Sequence, residues 1–195
     1  MNALLIQTIR RRVALSEAEA DSLCSFFEKR SLKKKEWLFR EGEVAHSVAF
    51  VCSGVMRVFA DDEQGHESTL QFAPVDWWVT DLASFIKQEP ALWKVEAIEA
   101  SEVLLLSRSN QLRLFSVLPQ MESYFRVITE NALVAQQQRL QDANSASALE
   151  RYKSFCLKYP SLVDTVAQKH IASYIGVSPE FLSKMKSEII RGKRF

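Results

Sequence analysis

The sequence predicts an α+β protein with an N-terminal jelly-roll-like antiparallel β-roll (double-stranded β-helix), a long dimerisation helix and a small C-terminal helix-turn-helix domain. Three observations lead to this prediction. Short β-type runs alternate with turn signals between residues 32 and 107, a helical apolar repeat follows Pro119, and a glycine separates two apolar helical segments near the C-terminus. We expect the parts to span residues 1–118, 119–142 and 143–195.

The composition is that of a globular protein. The 195 residues are 47% hydrophobic and 25% charged, and no apolar run approaches the roughly 20 residues that cross a bilayer. Leu4-Leu5-Ile6 is too short for the apolar region of a signal peptide, and the basic run Arg10-Arg11-Arg12 follows it instead of preceding it. We therefore expect a cytoplasmic protein with no membrane partner.

The net charge of +1 hides an uneven distribution. From Gln168 onward there are six basic and two acidic residues, a local charge of +4, which leaves −3 for the rest of the chain. A small basic end on an acidic body favours nucleic-acid binding, because phosphate contacts supply most of the affinity. A solvated basic tail is the alternative.

The cysteines and histidines form no recognisable catalytic or metal-binding motif. Cys24, Cys52 and Cys156 are widely separated and odd in number, which fits neither a disulfide framework nor a metal site. A cupin-type enzyme needs clustered histidines and a carboxylate around its metal, and this chain has only three dispersed histidines. They are His46, His66 and His170. We expect no enzymatic activity, no metal and no cofactor, while a lone axial haem ligand stays open.

Six apolar runs of β-type composition predict the β-roll. They are Trp37 to Phe39, Val48 to Cys52, Val55 to Phe59, Thr69 to Phe72, Trp93 to Ile98 and Val103 to Leu106. Turn signals such as Ser53-Gly54 fall between them at a spacing that favours an antiparallel sandwich or barrel. Before them, a capping box from Ser16 to Glu19 predicts a helix that ends near Lys29 and carries Leu23, Phe26 and Phe27 on one side.

The helix after Pro119 carries an apolar seam with alternating steps of four and three residues, which is typical of a coiled coil. The seam consists of Met121, Phe125, Ile128, Ala132 and Ala135. Off the seam lie Tyr124, Val127, Leu133 and Val134, which predict a second face that is buried against the β-roll. The seam would then meet a second copy of the chain. A monomer that buries the whole helix is the alternative.

A polar stretch at residues 142–147 predicts a hinge after this helix. Ser147 to Glu150 is a second capping box and begins the next helix, which Tyr159-Pro160 closes. The segment from Pro160 to Val166 is then the place from which we expect any wing that contacts DNA.

The segment from Gln168 to Ile190 has the pattern of a helix-turn-helix. Such a motif needs a small residue where its helices cross, a glycine in the tight turn, and apolar residues that fix the crossing. The predicted core is Ile171, Ala172, Ile175, Gly176, Val177, Leu182 and Met185, with Phe181 also assigned inward. Ser178 is expected to cap the second helix, and Pro179 suits its first position. An ordinary helical hairpin is the alternative.

The outward face of the second helix carries the candidate base readers Glu180, Ser183, Lys184 and Ser187. A glutamate can accept a hydrogen bond from cytosine N4, and a lysine can donate to guanine O6 or N7. Suitable for phosphate contacts are Lys169, His170, Ser178, Lys186 and Arg191.

These features together resemble the Crp/Fnr family of transcription regulators across nearly the whole chain. The most characteristic local matches are Glu41-Gly42-Glu43, Ser53 to Val58 and His170 to Ser183. The resemblance implies a homodimer that binds a two-fold-symmetric operator in double-stranded DNA, with a β-roll that senses an unknown small-molecule effector and RNA polymerase as a further partner. Glu180 and Lys184 match base readers of the family. Pro179 replaces an arginine of its best-known member, so that member's operator is not carried over.

The family's cyclic-nucleotide pocket is degenerate in this sequence. Val79 and Thr80 stand where the family has glycine and glutamate, and the stretch from Glu89 to Trp93 offers no arginine for the phosphate. An unneutralised phosphate is expensive to bury, so we expect an effector other than cyclic AMP, or none. Asp81 could replace the glutamate, whereas Lys87 and Lys94 are poor substitutes for a guanidinium.

An aromatic cluster near this pocket is a candidate effector site, consisting of Trp77, Trp78, Asp81 and Trp93. Ordinary core packing is the alternative for the tryptophans. A regulatory β-roll that binds an effector or a protein partner without binding DNA is the alternative for the whole chain.

Overall fold

Two four-stranded antiparallel sheets form the N-terminal part of the chain, with strand orders β1-β8-β3-β6 and β2-β7-β4-β5. The computed structural model describes residues 2–190 and residue 192. Its strands are β1 (Glu28–Leu32), β2 (Trp37–Phe39), β3 (Ser47–Ser53), β4 (Met56–Asp61), β5 (Glu67–Ala73), β6 (Trp78–Val79), β7 (Lys94–Ala97) and β8 (Ser101–Ser107). Each of the six predicted runs overlaps a strand, and the predicted α+β fold with an antiparallel β-roll is confirmed.

The helices flank the sheets and continue beyond them. They are α1 (Asn2–Arg10), α2 (Glu17–Cys24), α3 (Leu82–Lys87), α4 (Arg108–Val117), α5 (Gln120–Ser145), α6 (Ala148–Lys158), α7 (Gln168–Ile175) and α8 (Pro179–Ile190). Both predicted capping boxes are present: the Ser16 and Ser147 hydroxyls accept from the backbone of Glu19 and Glu150, whose carboxylates bond back. None of the described helices is long and apolar enough to span a membrane.

The prediction for α2 was wrong at its end. The helix stops at Cys24 instead of near Lys29, and Phe26 and Phe27 follow it. Residues 28–32 form β1, an edge strand paired with β8, of which only Leu32 is buried. A mostly exposed edge strand does not show the apolar alternation by which strands are recognised in a sequence.

The main core lies between the two sheets and is closed by helices. It contains Phe50 of β3, Met56 of β4 and Val95 of β7. Leu5 of α1 and Leu114 of α4 are fully buried against the same core. The apolar start of the chain is therefore part of the folded β-roll.

The beginning of the α5 seam packs against the chain's own β-roll, which corrects the prediction that Met121 and Phe125 meet a second copy. Met121 and Phe125 are buried in the main core, and Ile128 packs against it. Further along, Ala132 is exposed and Ala135 lines a cleft beside α6. Two residues predicted to lie against the β-roll, Leu133 and Val134, are exposed, as is Leu140. Neither predicted face is therefore fully buried along this half of the helix.

A second apolar core forms around α6, α7 and α8. Its members Phe155, Tyr159 and Ile171 are fully buried, and Val55 and Phe72 of the β-roll belong to it as well. Neighbouring side chains of a strand point to opposite faces, so Phe72 reaches this core while Ala73 lies in the main core. The C-terminal part is therefore packed against the second sheet of the β-roll.

The expected wing is not formed by residues 160–166. Pro160–Leu162 is a short 3-10 helix, and Leu162 and Val166 are buried in the second core. The predicted hinge is also shorter than expected, because α5 continues to Ser145 and only Ala146 and Ser147 separate it from α6.

Candidate nucleic-acid interface

Helices α7 and α8 meet at a tight turn of three residues, Gly176 to Ser178. Gly176 has φ +71°, a left-handed conformation that glycine adopts without strain, and its N–H donates to the Ala172 carbonyl. The Ser178 hydroxyl accepts the N–H of Phe181 at 3.1 Å and so caps α8. The turn therefore fixes where α8 begins.

Apolar side chains hold the two helices together. Of the predicted motif core, five residues are buried, Val177 is partly buried and Gly176 is exposed in the turn; the buried five are Ile171, Ala172, Ile175, Leu182 and Met185. Phe181 is a correction to the sequence prediction, because 48% of its surface is exposed. It precedes the buried Leu182 by one residue, a rotation of about 100° around the helix, which turns it out of the core.

The outward face of α8 presents polar side chains to solvent. Glu180, Ser183, Lys184 and Ser187 are all exposed, and their spacing of three and four residues places them on one face. Hydrogen bonds from its own backbone and from Ser178 lower the pKa of Glu180, which keeps its carboxylate ionised as an acceptor. Phe181 lies next to this face, so an apolar group accompanies the polar ones.

The candidate phosphate contacts are not all on one surface. Lys169 is exposed at the start of α7, and Lys186 donates to Gln168 Oε1 at 3.2 Å across the two helices. Ser178 is exposed and caps α8. Arg191 lies outside the described residues. His170 faces the β-roll and is partly buried, so in this arrangement it contacts protein instead of solvent.

Helix α7 is docked on the edge of the second sheet at β5, the outermost strand. The N–H of Thr69 donates to Ser173 Oγ at 2.8 Å, and the same hydroxyl donates to the Glu67 carbonyl at 2.5 Å. Arg139 of α5 donates to the carbonyls of Thr69 and Leu70. An edge strand otherwise leaves such groups unpaired, so α5 and α7 together cover this edge.

A buried arginine links α7 to the centre of the sheet. Arg57 is 1% exposed, and it donates to Glu96 Oε1 from Nε at 3.0 Å and to Glu67 Oε2 at 2.7 Å. Its guanidinium lies 3.9 Å from the centre of the Phe59 ring and also donates to Nδ1 of His170. Two carboxylates and an imidazole therefore satisfy one buried cation.

His170 is neutral in this network. Burial, together with the charge of Arg57, lowers the pKa of His170 from 6.5 to about 4. Because Nδ1 accepts the hydrogen bond, Nε2 carries the proton of the neutral ring. A protonated imidazole would place a second cation beside Arg57, so this contact requires the neutral form.

Comparison with known proteins identifies the fold. Residues 29–117 match the sequence profile of the family described as "Cyclic nucleotide-binding domain". FixK2 from Bradyrhizobium japonicum superposes with a TM-score of 0.73 at 19% identity, covering 85% of this chain and 86% of that chain. The catabolite activator protein of Thermus thermophilus gives a TM-score of 0.61 at 21% identity, covering 95% and 88%.

A third similar structure is the c-di-GMP responsive global regulator CLP of Xanthomonas campestris, with a TM-score of 0.71 at 14% identity and coverage of 91% and 93%. No curated protein sequence matched the chain. The chain therefore has the fold of these proteins, a cyclic-nucleotide-binding-type β-roll followed by a C-terminal helical part. The resemblance drawn from the residues is thereby confirmed.

The residues at which the sequence analysis placed the degenerate nucleotide pocket are engaged within the chain itself. Val79 is buried and pairs with Ala49 in the sheet, and Thr80 donates to the Ser47 carbonyl at 3.1 Å. Asp81 is buried, and its carboxylate accepts from the N–H groups of Ser84 and Leu92, both at 3.1 Å. This carboxylate therefore holds the loop around α3.

The tryptophans of the candidate effector pocket have different neighbours. Trp77 packs against Tyr159 of the second core in a tilted arrangement, with 5.2 Å between ring centres. Trp78 packs on Phe50 at 5.1 Å and donates from Nε1 to the Tyr124 hydroxyl at 3.0 Å, on the main-core side. Trp93 is partly buried against the main core. Among residues 2–190, no group of three or more His, Cys, Asp and Glu is placed to hold a metal.

Proposed function

We propose that the chain is a sequence-specific DNA-binding transcription regulator of the Crp/Fnr type, which binds a two-fold-symmetric operator as a homodimer. The observation that carries this proposal is the outward face of α8, where Glu180, Ser183, Lys184 and Ser187 lie together, free of the rest of the described chain. A helix that follows a tight glycine turn and exposes polar side chains can enter a major groove.

The base readers have complementary chemistry. The ionised Glu180 accepts from cytosine N4, and Lys184, one turn further, donates to guanine O6 or N7. The hydroxyls of Ser183 and Ser187 can donate a hydrogen bond to a base edge or accept one from it. Phe181 adds a reader that the sequence interpretation missed, since an exposed phenyl ring beside Glu180 can contact a thymine methyl group. Its exposure could have been recognised from its position one residue before the inward Leu182, since neighbouring helix residues point about 100° apart.

The second copy is proposed to bind on the solvent face of α5. Leu133, Val134 and Leu140 are exposed there, beyond the part of the helix that packs on the β-roll. Two such helices side by side would bury these residues and relate the two α8 helices by a two-fold axis, the symmetry that a two-fold-symmetric operator requires.

We further propose that cyclic AMP is not the effector. The carboxylate of Asp81 is engaged by two backbone N–H groups, and no arginine is available in residues 89–93 to neutralise a phosphate. The similar Xanthomonas campestris protein is described as c-di-GMP responsive, which supports an effector of another kind. Calorimetric titration with cyclic AMP and cyclic GMP is expected to give no binding, and micromolar affinity for either nucleotide would refute this part.

The test of the main proposal is selection of genomic fragments by the purified chain at stated salt, followed by electrophoretic shift on the recovered sites. A two-fold-symmetric consensus is expected. The matched control is Lys153→Ala, an exposed lysine of α6 outside the motif, which should select the same sites. Failure to retain any fragment, with the fold intact by circular dichroism, would favour a β-roll regulator that does not bind DNA.

A further inference from the structure

A cleft of about 690 Å³ lies between α5, α6 and α7, beside the edge of β5. This volume falls within the range of roughly 300–1,000 Å³ that is usual for small-molecule sites. Its walls come from both parts of the protein. Its polar lining includes Ser68 of β5, Arg139 and Asp142 of α5, Arg151 and Lys158 of α6, and Tyr174 of α7.

The cleft carries an uncompensated positive charge. Arg139, Arg151 and Lys158 face it, and Asp142 is the one carboxylate among its lining residues. Across the described part of the chain, no carboxylate lies within 4.0 Å of any of these three cations. Asp142 instead accepts from Gln138 Nε2 at 2.8 Å. Three clustered cations without acidic partners favour an anion between them.

The two arginines are held in place by backbone carbonyls and keep unused donors. Arg151 donates to the carbonyls of Ile175 at 2.7 Å and Ala146 at 2.6 Å. Since a guanidinium has five N–H groups, three of its donors are left for a ligand. Arg139 is fixed by the carbonyls of Thr69, Leu70 and Tyr174. These bonds preorganise both side chains, which lowers the entropic cost of binding.

Lys158 is the third cation and makes no ion pair. Its ammonium lies 5.3 Å from the centre of the Tyr159 ring and 5.9 Å from that of Trp77. Lys158 as a whole is exposed, and partial desolvation of its ammonium together with the nearby Arg139 lowers its pKa.

The cleft also offers apolar surface to the body of a ligand. Phe155 and Ile175 line it from the second core, and Leu157 on its wall is 84% exposed. A large apolar side chain left in solvent beside three cations suits a molecule with an anionic group and an apolar part.

We propose that this cleft binds a small organic anion, an apolar body that carries a carboxylate or a phosphate, with Arg139, Arg151 and Lys158 as its charge partners. The ligand would bridge α5 to α6 and to α7, the first helix of the helix-turn-helix. Binding would therefore favour the docked position of α7. The site does not include Val79, Thr80 or Asp81, and its existence does not depend on DNA binding.

The test is a fluorescence titration of the full chain with anilinonaphthalene sulfonate, an aromatic anion. N-phenylnaphthylamine, which has the same rings without the sulfonate, is the neutral control. We expect Lys158→Gln to weaken binding of the sulfonate about tenfold, since hydrogen bonds to charged groups contribute on that scale, and Lys158→Glu to weaken it further. Phenyl phosphate and benzoate should displace the probe, and their relative potency distinguishes a phosphate from a carboxylate ligand.

Matched variants guard against unspecific binding. Lys153→Gln removes an exposed lysine of the same helix that does not line the cleft, and it should leave the affinity unchanged. Equal affinities of the wild type, Lys158→Gln and Lys158→Glu would overturn the proposal. So would equally tight binding of the neutral probe. Neither result would bear on the selection of DNA fragments, because the titration contains no DNA.

Discussion

The hydroxyl of Ser173 closes the edge of the second sheet at Thr69: it accepts the Thr69 N–H at 2.8 Å while donating to the carbonyl of Glu67. One side chain of the helix-turn-helix thus satisfies two backbone groups of an edge strand. This relationship ties the position of α7 to the β-roll.

The first prediction follows from this contact. Ser173→Ala leaves the Thr69 N–H without its acceptor, which should destabilise the docked position of α7 by about 1–3 kcal/mol. Hydrogen exchange of the Thr69 amide should therefore become faster. Ser187→Ala is the control, because that hydroxyl bonds only to the Ser183 carbonyl within α8. Unchanged exchange at Thr69 in Ser173→Ala would show that α7 does not dock in solution.

The second prediction concerns the pH dependence of stability through His170. Its pKa is lowered from 6.5 to about 4, so between these values the unfolded chain binds more protons than the folded one. The free energy of unfolding should therefore fall as the pH falls through this window, by up to about 1.4 kcal/mol per pH unit. Denaturant unfolding across the window measures this slope.

The control for this slope is His170→Asn, whose amide oxygen can still accept from Arg57 but does not titrate. The other charged groups at the site are Arg57, Glu67, Glu96 and Lys169. Burial alone would raise the pKa of Glu67, but the hydrogen bond and the charge of Arg57 lower it below its ordinary value. Because Arg57 is present in both the wild type and His170→Asn, its effect on Glu67 contributes to the slope of both proteins. Identical slopes for the two proteins would contradict the assignment.

The sequence predicted local features well because short-range physics determines them. The capping boxes at Ser16 and Ser147 and the left-handed Gly176 each depend on residues within a few positions. The surface against which an apolar seam packs is not determined by residues within a few positions. Met121 contacts its own β-roll instead of a second copy. The contact between Arg57 and His170 joins residues 113 positions apart, so no periodicity could reveal it.

The third prediction separates backbone strain from steric overlap in the β-roll. Gly42 and Gly54 both have positive φ, +82° and +78°. A Cβ at Gly42 would meet open space, whereas one at Gly54 would lie 2.4 Å from the Ala100 carbonyl oxygen. Gly42→Ala should lower the free energy of unfolding by roughly 1–2 kcal/mol because of its left-handed backbone alone. Gly54→Ala should lower it by about 1–3 kcal/mol more, because its Cβ also overlaps neighbouring atoms. Urea unfolding of both variants measures the difference, and equal losses would contradict it.

The fourth prediction tests the readers on α8. Lys184→Ala should relax specificity at one position of each half-site by about 1–3 kcal/mol, because a base contact distinguishes sequences and a phosphate contact does not. Binding to a panel of single-base operator variants measures this. Uniform weakening across the panel, with a smaller salt dependence, would instead make Lys184 a phosphate contact.

The last prediction tests the solvent face of α5 as the contact with a second copy. Leu133 and Leu140 are seven residues apart and both exposed, so they present one apolar stripe at coiled-coil spacing. Leu133→Glu should raise the dimer dissociation constant at least about tenfold, since it removes apolar burial and places two carboxylates near the two-fold axis. Sedimentation equilibrium measures the constant. Leu92→Glu, at an exposed leucine of the β-roll, is the matched control and should leave it unchanged. If Leu133→Glu and Leu92→Glu have the same dimer dissociation constant, the second copy binds elsewhere.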